Sequence, residues 1–129
     1  MKIVIADDSS LMRERIKYLL KSENSDLDLF DAINGLEALR LIKEIKPDLV
    51  ILDIRMPELN GINVLKKIRE MRMQVKVCIL TNYSYPLYKL KCFEAGADYF
   101  LNKTEDFEDI TDILTNLLPS TDIPQIIQI

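Results

Sequence analysis

The sequence predicts an α/β domain with a doubly wound, five-stranded parallel sheet and helices on both faces. Short apolar runs alternate five times with longer segments of helical periodicity, and this alternation is typical of parallel sheets with right-handed crossovers. Residues 49–52 are apolar at successive positions, as in a strand that is covered on both faces. With 129 residues and 48% hydrophobic composition, the chain has enough apolar material for one ordinary core.

Capping and breaking residues mark the first two repeats. Residues 3–6 are a short β-branched run, after which Ser9 or Ser10 offers an N-cap to a first helix. Residues 27–32 alternate apolar and acidic side chains, as a half-buried strand does, and Pro47 closes the helix that follows. The apolar stripes expected on these two helices contain Leu11, Ile16, Leu19, Leu20, Leu36, Leu39, Ile42 and Ile45.

The later repeats follow the same pattern. Helical spacing over residues 64–71 precedes an apolar strand at 75–80. A further helix is expected over 86–95 and is ended by Gly96, which adopts the left-handed C-cap conformation without steric cost. Residues 97–101 form the last expected strand. The last helix has its apolar stripe at Phe107, Ile110, Ile113, Leu114 and Leu117.

One domain is expected over residues 1–118. After it, Pro119-Ser120-Thr121-Asp122 is typical of a break, and residues 123–129 are apolar but too few to form a domain. Two alternatives stay open for residues 119–129: a tail that packs on the domain, or the first part of a linker to another domain.

Composition argues against several classes of function. A net charge of -4 disfavours direct binding of nucleic acid, which depends on clustered Lys and Arg. No stretch approaches the roughly 20 apolar residues of a membrane span, and no signal segment is evident, so we expect a cytoplasmic location. Histidine is absent, which removes the commonest general base and metal ligand. The spacing of Cys78 and Cys92 suggests buried thiols, with neither a disulfide nor a zinc site.

Polar side chains stand where four of the predicted strands end. Asp7 and Asp8 follow the first strand, Asp53 the third, Thr81 the fourth and Lys103 the fifth. Singly, each has an ordinary structural explanation, but in an open parallel sheet these points converge at the ligand crevice. Carboxylates within about 4 Å of one another repel by roughly 4 kcal/mol per pair. A raised pKa, the Lys103 ammonium or a divalent ion such as Mg²⁺ must compensate, so the set predicts a phosphoryl and metal site.

Several short motifs carry a resemblance to a known family. They are Asp7-Asp8, the segment Asp53-Ile54-Arg55-Met56-Pro57 with Gly61 beyond it, Leu80-Thr81, and Gly96-Ala97-Asp98-Tyr99-Phe100-Leu101-Asn102-Lys103. On these motifs the chain resembles the receiver domains of two-component response regulators over residues 1–118. The resemblance implies a flavodoxin-like fold with strand order 2-1-3-4-5.

The resemblance also implies a mechanism. Asp53 would accept a phosphoryl group from a sensor histidine kinase or a phosphotransfer protein. Asp7, Asp8, Asp53 and the backbone carbonyl of Arg55 would hold Mg²⁺, and Lys103 would pair with a phosphoryl oxygen. The domain would catalyse only its own phosphorylation and dephosphorylation, so it is expected to be a signalling module and not an enzyme.

A conformational switch is implied in the same way. The Thr81 hydroxyl would move to donate to the phosphoryl group, and Phe100 would turn inward into the space that Thr81 leaves. The surface of the last two helices would then change for a downstream effector protein or domain. The alternative for Phe100 is a permanent core aromatic.

Some positions depart from the usual family pattern. Asn82 stands where a small residue is usual, so its side chain is expected to crowd the phosphoryl pocket. Arg55 and Tyr83 flank the site, and we hypothesise that their bulk shields the acyl phosphate and lengthens its lifetime. Thr104 stands where many members have a proline after the lysine, often with a cis bond. Because a non-proline cis bond costs about 3 kcal/mol, a trans bond is expected.

Other functions compete with this interpretation. A phosphatase that uses an aspartyl-phosphate intermediate would need an Asp-x-Asp arrangement, which Asp53-Ile54-Arg55 lacks. A flavin or nucleotide binder would need a Gly-rich or Ser/Thr-rich phosphate loop, where Asp7-Asp8-Ser9-Ser10 has the opposite charge. A degenerate receiver that binds partners without phosphorylation stays open, although the complete acid, threonine and lysine set counts against it.

Charges on the last two helical segments permit complementary pairing across a two-fold axis. A homodimer is therefore an alternative to a solvated surface at that face. The residues concerned are Lys89, Lys91, Glu105, Asp106, Glu108 and Asp109.

Overall fold

The chain alternates strand and helix five times in the computed structural model, which describes residues 1–118. The strands form one parallel sheet in the order β2-β1-β3-β4-β5, which confirms the predicted fold and strand order. The expectations for residues 119–129 lie outside the described residues. The elements are β1 (Lys2–Ala6), α1 (Ser10–Glu23), β2 (Asp28–Ala32), α2 (Gly35–Ile45), β3 (Leu49–Leu52), α3 (Gly61–Glu70), β4 (Lys76–Thr81), α4 (Pro86–Glu94), β5 (Tyr99–Asn102), a 3₁₀ turn (Phe107–Asp109) and α5 (Ile110–Leu117).

The sheet separates two layers of core, because successive strand residues point to opposite faces. In β3, Val50 and Leu52 pack with α2, α3 and α4, whereas Leu49 and Ile51 pack with α1 and α5. All four side chains of β3 are buried, as the continuous apolar run predicts. Fully burying one such side chain stabilises the fold by about 1.5–3 kcal/mol.

Strand register aligns the carboxyl ends of the central strands. Ala6 lies opposite both Ala32 and Leu52. The backbone ladder continues past the strand ends, since the Asp7 N–H donates to the Ala32 carbonyl at 3.1 Å and the Asp53 N–H to the Ala6 carbonyl at 3.0 Å. The residues that follow β1 and β3 are therefore held side by side.

Local capping explains where several helices begin and end. The Ser9 hydroxyl accepts the Met12 N–H at 3.2 Å, so Ser9 is the N-cap of α1. Asn34 caps α2 in the same way, accepting the Glu37 N–H at 2.8 Å. Gly96 has a φ of +106° after α4, which confirms the left-handed conformation expected there.

Arg69, at the end of α3, links the chain segments that lead into β4 and β5. Its Nη1 donates to the carbonyls of Met73 and Val75 at 2.9 Å each. Its Nε and Nη2 donate to the Gly96 carbonyl at 3.1 and 2.9 Å. Asp98 completes this clamp, accepting from Arg69 Nη2 at 3.0 Å and from the Val77 N–H at 2.8 Å. The family motif around residue 98 thus has a structural role here.

Two expected core residues are exposed. Leu11 is 71% exposed and Leu36 is 52% exposed. The helical period explains both, because Leu11 precedes Leu20 by about two and a half turns and Leu36 precedes Ile42 by about one and two-thirds turns. Each therefore faces away from the buried side of its helix.

The ends of two helices also differ from the sequence-based expectation. Met71 is 38% exposed because α3 ends at Glu70. Phe107 and the acidic residues 105–109 precede α5, which begins at Ile110 after a 3₁₀ turn. Within residues 1–118, no helix combines the length and apolar character needed to cross a bilayer.

Candidate functional site

The buried polar side chains of residues 1–118 are the very groups that end the strands. Asp7 is 2% exposed, Asp53 5%, Thr81 0% and Lys103 9%. Each stands at or just after the carboxyl end of a different strand, namely β1, β3, β4 and β5. Burial of charge is costly unless the charges are paired, so the charged side chains at this edge must form ion pairs or hydrogen bonds with one another or with the backbone.

Lys103 provides that pairing. Its Nζ lies 2.7 Å from Asp7 Oδ2 and 2.8 Å from Asp53 Oδ2. The other carboxylate oxygens bind backbone amides, with Asp7 Oδ1 accepting the Ser9 N–H at 2.8 Å and Asp53 Oδ1 accepting the Ile54 N–H at 2.7 Å. One ammonium therefore bridges two buried acids whose remaining oxygens are held in place.

The titration of this pair reflects its burial. Loss of solvent is the largest influence on the Asp53 carboxyl and raises its pKa, against the opposing effect of Lys103. For Lys103, burial lowers the pKa, but the hydrogen bonds to Asp53 and Asp7 outweigh it and the pKa is raised. Lys103 is consequently a cation at neutral pH.

The acids have the composition of a site for a hard cation. Asp7, Asp8 and Asp53 each offer a carboxylate oxygen, and these oxygens all lie within 4.8 Å of one another. Asp8 is exposed, whereas Asp7 and Asp53 are buried. Several carboxylate oxygens open to solvent on one side fit Mg²⁺, which binds one or two carboxylates and keeps several waters.

Gly61 supports the backbone of Asp53. A Cβ atom at position 61 would stand 2.0 Å from the Asp53 carbonyl oxygen, and the Gly61 N–H donates to the Ile54 carbonyl at 2.7 Å. Because residue 61 has no side chain, the loop between β3 and α3 can fold back onto the end of β3. The glycine that the family motif places after Asp53 thus permits a close backbone contact with a site residue.

Thr81 lies between the acids and the β4–α4 loop. Its Oγ1 accepts the Tyr83 N–H at 3.1 Å, and its carbonyl accepts the Lys103 N–H at 3.0 Å. The hydroxyl also favours the charged form of Asp53 and so lowers the pKa of that carboxyl, although its effect is smaller than those of burial, Lys103 and Asp7. Thr81 therefore contacts both the loop that follows it and the chain segment that carries Lys103.

Phe100 faces the layer of core that contains α2, α3 and α4. Its ring centroid lies 6.5 Å from that of Phe93, with an interplanar angle of 45°. The neighbouring Tyr99 packs on the opposite face of the sheet, because successive strand residues point to opposite faces. Phe100 is thus partly buried beneath α4.

The flanking residues lie in two adjacent loops. The Arg55 guanidinium stacks over the Tyr83 ring, with its Cζ 4.0 Å from the ring centroid. Arg55 and Asn82 are exposed, and Tyr83 is half-buried. There is no cis peptide bond in residues 1–118, so the Lys103–Thr104 bond is trans, as expected.

The polar contacts of two residues at this edge, Arg13 and Asn102, were not among the sequence-based expectations. Arg13 Nη1 donates to the Asp7 carbonyl at 2.6 Å, and its Nε donates to Asp31 Oδ2 at 2.9 Å. Asn102 Nδ2 donates to the Ser84 hydroxyl at 2.9 Å. The spacing of Arg13 one to two turns after Asp7 was a weak signal for the first contact, and nothing in the sequence points to the second.

Comparison with known families identifies this arrangement. The family model described as the response regulator receiver domain matches residues 3–115. The chain belongs to the response regulator receiver family. Receivers of this family are signalling modules that typically bind Mg²⁺ and become phosphorylated, and they interact with histidine kinases and effector domains.

Individual relatives agree with this assignment. The receiver is 39% identical over 109 residues to the uncharacterized transcriptional regulatory protein YhcZ of Bacillus subtilis, covering 84% of this chain and 51% of that protein. It is 41% identical over 100 residues to the sensory transduction protein LytT of Oceanobacillus iheyensis, covering 77% of this chain and 41% of that protein. The receiver thus spans about half the length, or less, of these curated relatives.

A solved structure gives the same result for the fold. The receiver matches a LuxR-family DNA-binding response regulator from Staphylococcus aureus with a TM-score of 0.82 and 32% sequence identity. The match covers 90% of this chain and 97% of that chain.

Proposed function

We propose that this receiver takes a phosphoryl group from a sensor histidine kinase or a phosphotransfer protein onto Asp53, and that phosphorylation changes a surface read by an effector. The observation that carries the proposal is the Lys103 bridge: one ammonium lies 2.7 Å from Asp7 and 2.8 Å from Asp53, with all three side chains buried. An ion pair with a purely structural role would need only one buried acid. It would not account for the second buried acid or for the exposed carboxylate of Asp8 beside them.

Asp53 is the nucleophile in this proposal. A carboxylate oxygen of Asp53 attacks the phosphorus of the donor, the bond between phosphorus and the donor imidazole nitrogen breaks, and the imidazole leaves with that electron pair. Asp53 Oδ2 is the oxygen paired with Lys103, whereas Oδ1 binds the Ile54 N–H. The product is an acyl phosphate whose added oxygens lie beside the Lys103 ammonium.

Charge is the main obstacle to this transfer, because an anionic carboxylate must approach an anionic phosphoryl group. Lys103 supplies one permanent cation. Asp7, Asp8, Asp53 and the backbone carbonyl of Arg55 are the groups that we assign to Mg²⁺. When bound, the ion neutralises charge on the phosphoryl oxygens and helps to orient the donor. Asp7 and Asp8 thus act by holding a cation next to Asp53.

The switch uses Thr81 and Phe100. The Thr81 hydroxyl accepts the Tyr83 N–H at 3.1 Å and would donate its own proton to a phosphoryl oxygen on Asp53. Movement of Thr81 toward Asp53 would displace the β4–α4 loop and open space for the Phe100 ring, which already packs against Phe93 of α4. A population shift of this kind alters the surface of α4 and β5.

The surface of α4 has the composition of a contact site. Leu87, Leu90 and Phe93 follow one another at helical spacing and are 60%, 56% and 42% exposed. Exposed apolar patches of this kind mark sites of protein interaction. We therefore assign effector binding, or pairing with a second copy, to this surface. YhcZ is named as a transcriptional regulatory protein and the Staphylococcus aureus protein as a DNA-binding response regulator, which supports an effector that acts in transcription.

Shielding of the acyl phosphate is assigned to Arg55 and Tyr83. Their stacked side chains join the β3–α3 and β4–α4 loops across a distance of 4.0 Å. A pair held in this way restricts the approach of water to the phosphoryl group on Asp53, and Asn82, although exposed, adds a polar side chain at the same rim.

Acetyl phosphate and Mg²⁺, followed by intact mass measurement, test the proposal. The native protein is expected to gain the mass of one phosphoryl group and to lose it again in base or hydroxylamine. Asp53→Asn is expected to gain nothing, whereas Asp28→Asn, an exposed acid on β2, is expected to behave as the native protein. Absence of the adduct on the native chain, or its persistence in Asp53→Asn, would overturn the assignment.

A further inference from the structure

We propose that Arg13 is a positioning residue for the metal-binding acids: its guanidinium fixes the peptide group that joins Asp7 to Asp8, and so holds the two carboxylates in the arrangement that binds a divalent cation. The inference rests on the proposed function, because it assigns Arg13 a task within the same site. Arg13 itself touches neither the cation nor the phosphoryl group.

The contacts of Arg13 are short and shielded from solvent. Its Nη1 donates to the Asp7 carbonyl oxygen at 2.6 Å, and its Nε donates to Asp31 Oδ2 at 2.9 Å. The Arg13 side chain is 11% exposed. Hydrogen bonds from a charged donor are roughly twice as strong as neutral ones, so this contact restrains the Asp7 carbonyl more than an ordinary loop hydrogen bond does.

Asp7 is held at every polar atom, and Arg13 holds the one atom that controls Asp8. The Asp7 N–H donates to Ala32, Oδ1 accepts the Ser9 N–H, and Oδ2 pairs with Lys103. These contacts fix the Asp7 side chain. The Asp7 carbonyl belongs instead to the planar peptide that leads to Asp8, so rotation of that peptide would swing the Asp8 carboxylate away from Asp53.

Asp31 anchors the other side of the guanidinium. It lies on β2, opposite Ile5 of β1, and also pairs with Lys17 at 3.1 Å. A chain of contacts thus runs from strand β2 through the Asp31 carboxylate and the Arg13 guanidinium to the Asp7–Asp8 peptide. Two directed hydrogen bonds from one planar group are a property of arginine that lysine does not reproduce.

Titration of the metal-free protein with Mg²⁺ alone, followed by calorimetry, is the first test. Because loss of a residue that orients metal ligands typically weakens binding 10–100-fold, we expect Arg13→Gln to bind Mg²⁺ about tenfold more weakly. Lys17→Met is the matched control, since it removes the other cation on Asp31 from the same helix, and it is expected to change the affinity by less than about twofold. Equal affinity in Arg13→Gln and the native protein would overturn the proposal, even with a lowered Tm.

Arg13→Lys separates position from charge. The lysine keeps the positive charge but loses the two directed contacts, so its Mg²⁺ affinity is expected to stay close to that of Arg13→Gln. Recovery of the native affinity in Arg13→Lys would show that charge alone is needed, which contradicts a positioning role.

Phosphorylation by acetyl phosphate gives an independent readout. At saturating Mg²⁺ the rate for Arg13→Gln is expected to return to that of the native protein, because only the metal affinity is impaired. A rate that stays low at every Mg²⁺ concentration would contradict this role.

An amide resonance tests the geometry without any metal. In the metal-free protein, the Asp8 amide nitrogen shift is expected to move in Arg13→Gln and to stay unchanged in Lys17→Met. If the native chain bound no Mg²⁺, the proposed function would fail, and this measurement would still decide whether Arg13 fixes the Asp7–Asp8 peptide: an unmoved resonance would overturn the inference.

Discussion

Gly61 lies against the backbone of Asp53 so closely that a Cβ atom would stand 2.0 Å from the Asp53 carbonyl oxygen. The contact involves backbone on the Asp53 side, which cannot turn away as a side chain can. Gly61→Ala is therefore expected to displace the β3–α3 loop and to lower the free energy of unfolding by about 1–3 kcal/mol. Urea denaturation measures this loss, and Asn63→Ala, at an exposed site on the same helix, is the control. Equal stability of Gly61→Ala and the native protein would show that the loop yields without strain.

Neutralisation of Asp53 should stabilise the metal-free protein. Burial raises the pKa of Asp53 despite its contact with Lys103, so the folded state binds the proton more tightly than the unfolded state does. The ionised carboxyl then opposes folding increasingly as the pH rises from the unfolded pKa through the raised folded value. Asp53→Asn is expected to have a higher free energy of unfolding at pH 7, with the gain shrinking toward acid pH. A constant difference at all pH values would contradict this account.

Removal of Lys103 should have the opposite effect. Lys103→Met leaves Asp7 and Asp53 buried without a cation, and breaking a buried pair in this way costs about 3–5 kcal/mol. Chemical denaturation without metal measures the loss. In the double variant Lys103→Met with Asp53→Asn, part of the stability is expected to return, because one of the two repelling charges is gone. Strict additivity of the two changes would mean that these side chains do not interact.

Replacement of Arg55 and Tyr83 by alanine should shorten the lifetime of the acyl phosphate. A stacked cation and ring at an exposed site contribute about 0.5–1 kcal/mol, so we expect hydrolysis to be about two- to fivefold faster. Loss of the phosphoryl mass over time measures the half-life. Arg15→Ala is the matched control, because Arg15 stacks on Phe107 at 4.6 Å, a similar arrangement on other elements. An unchanged half-life in the double variant would end the shielding hypothesis.

Both cysteines should be inert in the folded protein. Burial raises the pKa of Cys78 to about 12 and that of Cys92 to about 11, so little of either thiol is thiolate at pH 8. Disulfide reagents are expected to react slowly in native conditions and rapidly in denaturant. Rapid native labelling of Cys78 would contradict its burial.

The alternation of strands and helices predicted the parallel sheet, and the residues at the strand ends predicted most of the site, whereas the strand order came only from the resemblance to receiver domains. Asp7, Asp53, Thr81 and Lys103 each stand at or just after the end of an apolar run that is typical of a strand, and a parallel sheet gathers such positions at one edge. The core prediction was wrong at Leu11 and Leu36, because an apolar side chain in the first turn of a helix can lie off the buried face that the later residues define.

Other features depend on contacts between residues that are far apart in the chain. The bond from Arg13 to the Asp7 carbonyl depends on how α1 is rotated, and the bond from Asn102 to Ser84 depends on two loops. The stacking of Arg55 on Tyr83 is of the same kind, because the sequence shows two large side chains but not that they are in contact. The direction in which each of these side chains points is set by how the helices and loops pack. A single sequence does not contain that information.

The clamp made by Arg69 has a mechanical consequence. Because one guanidinium holds three backbone carbonyls and Asp98, the amino ends of β4 and β5 are expected to stay in place when Asp53 is modified. Displacements are then expected to be largest in the loops at the opposite ends of these strands, beside Asp53.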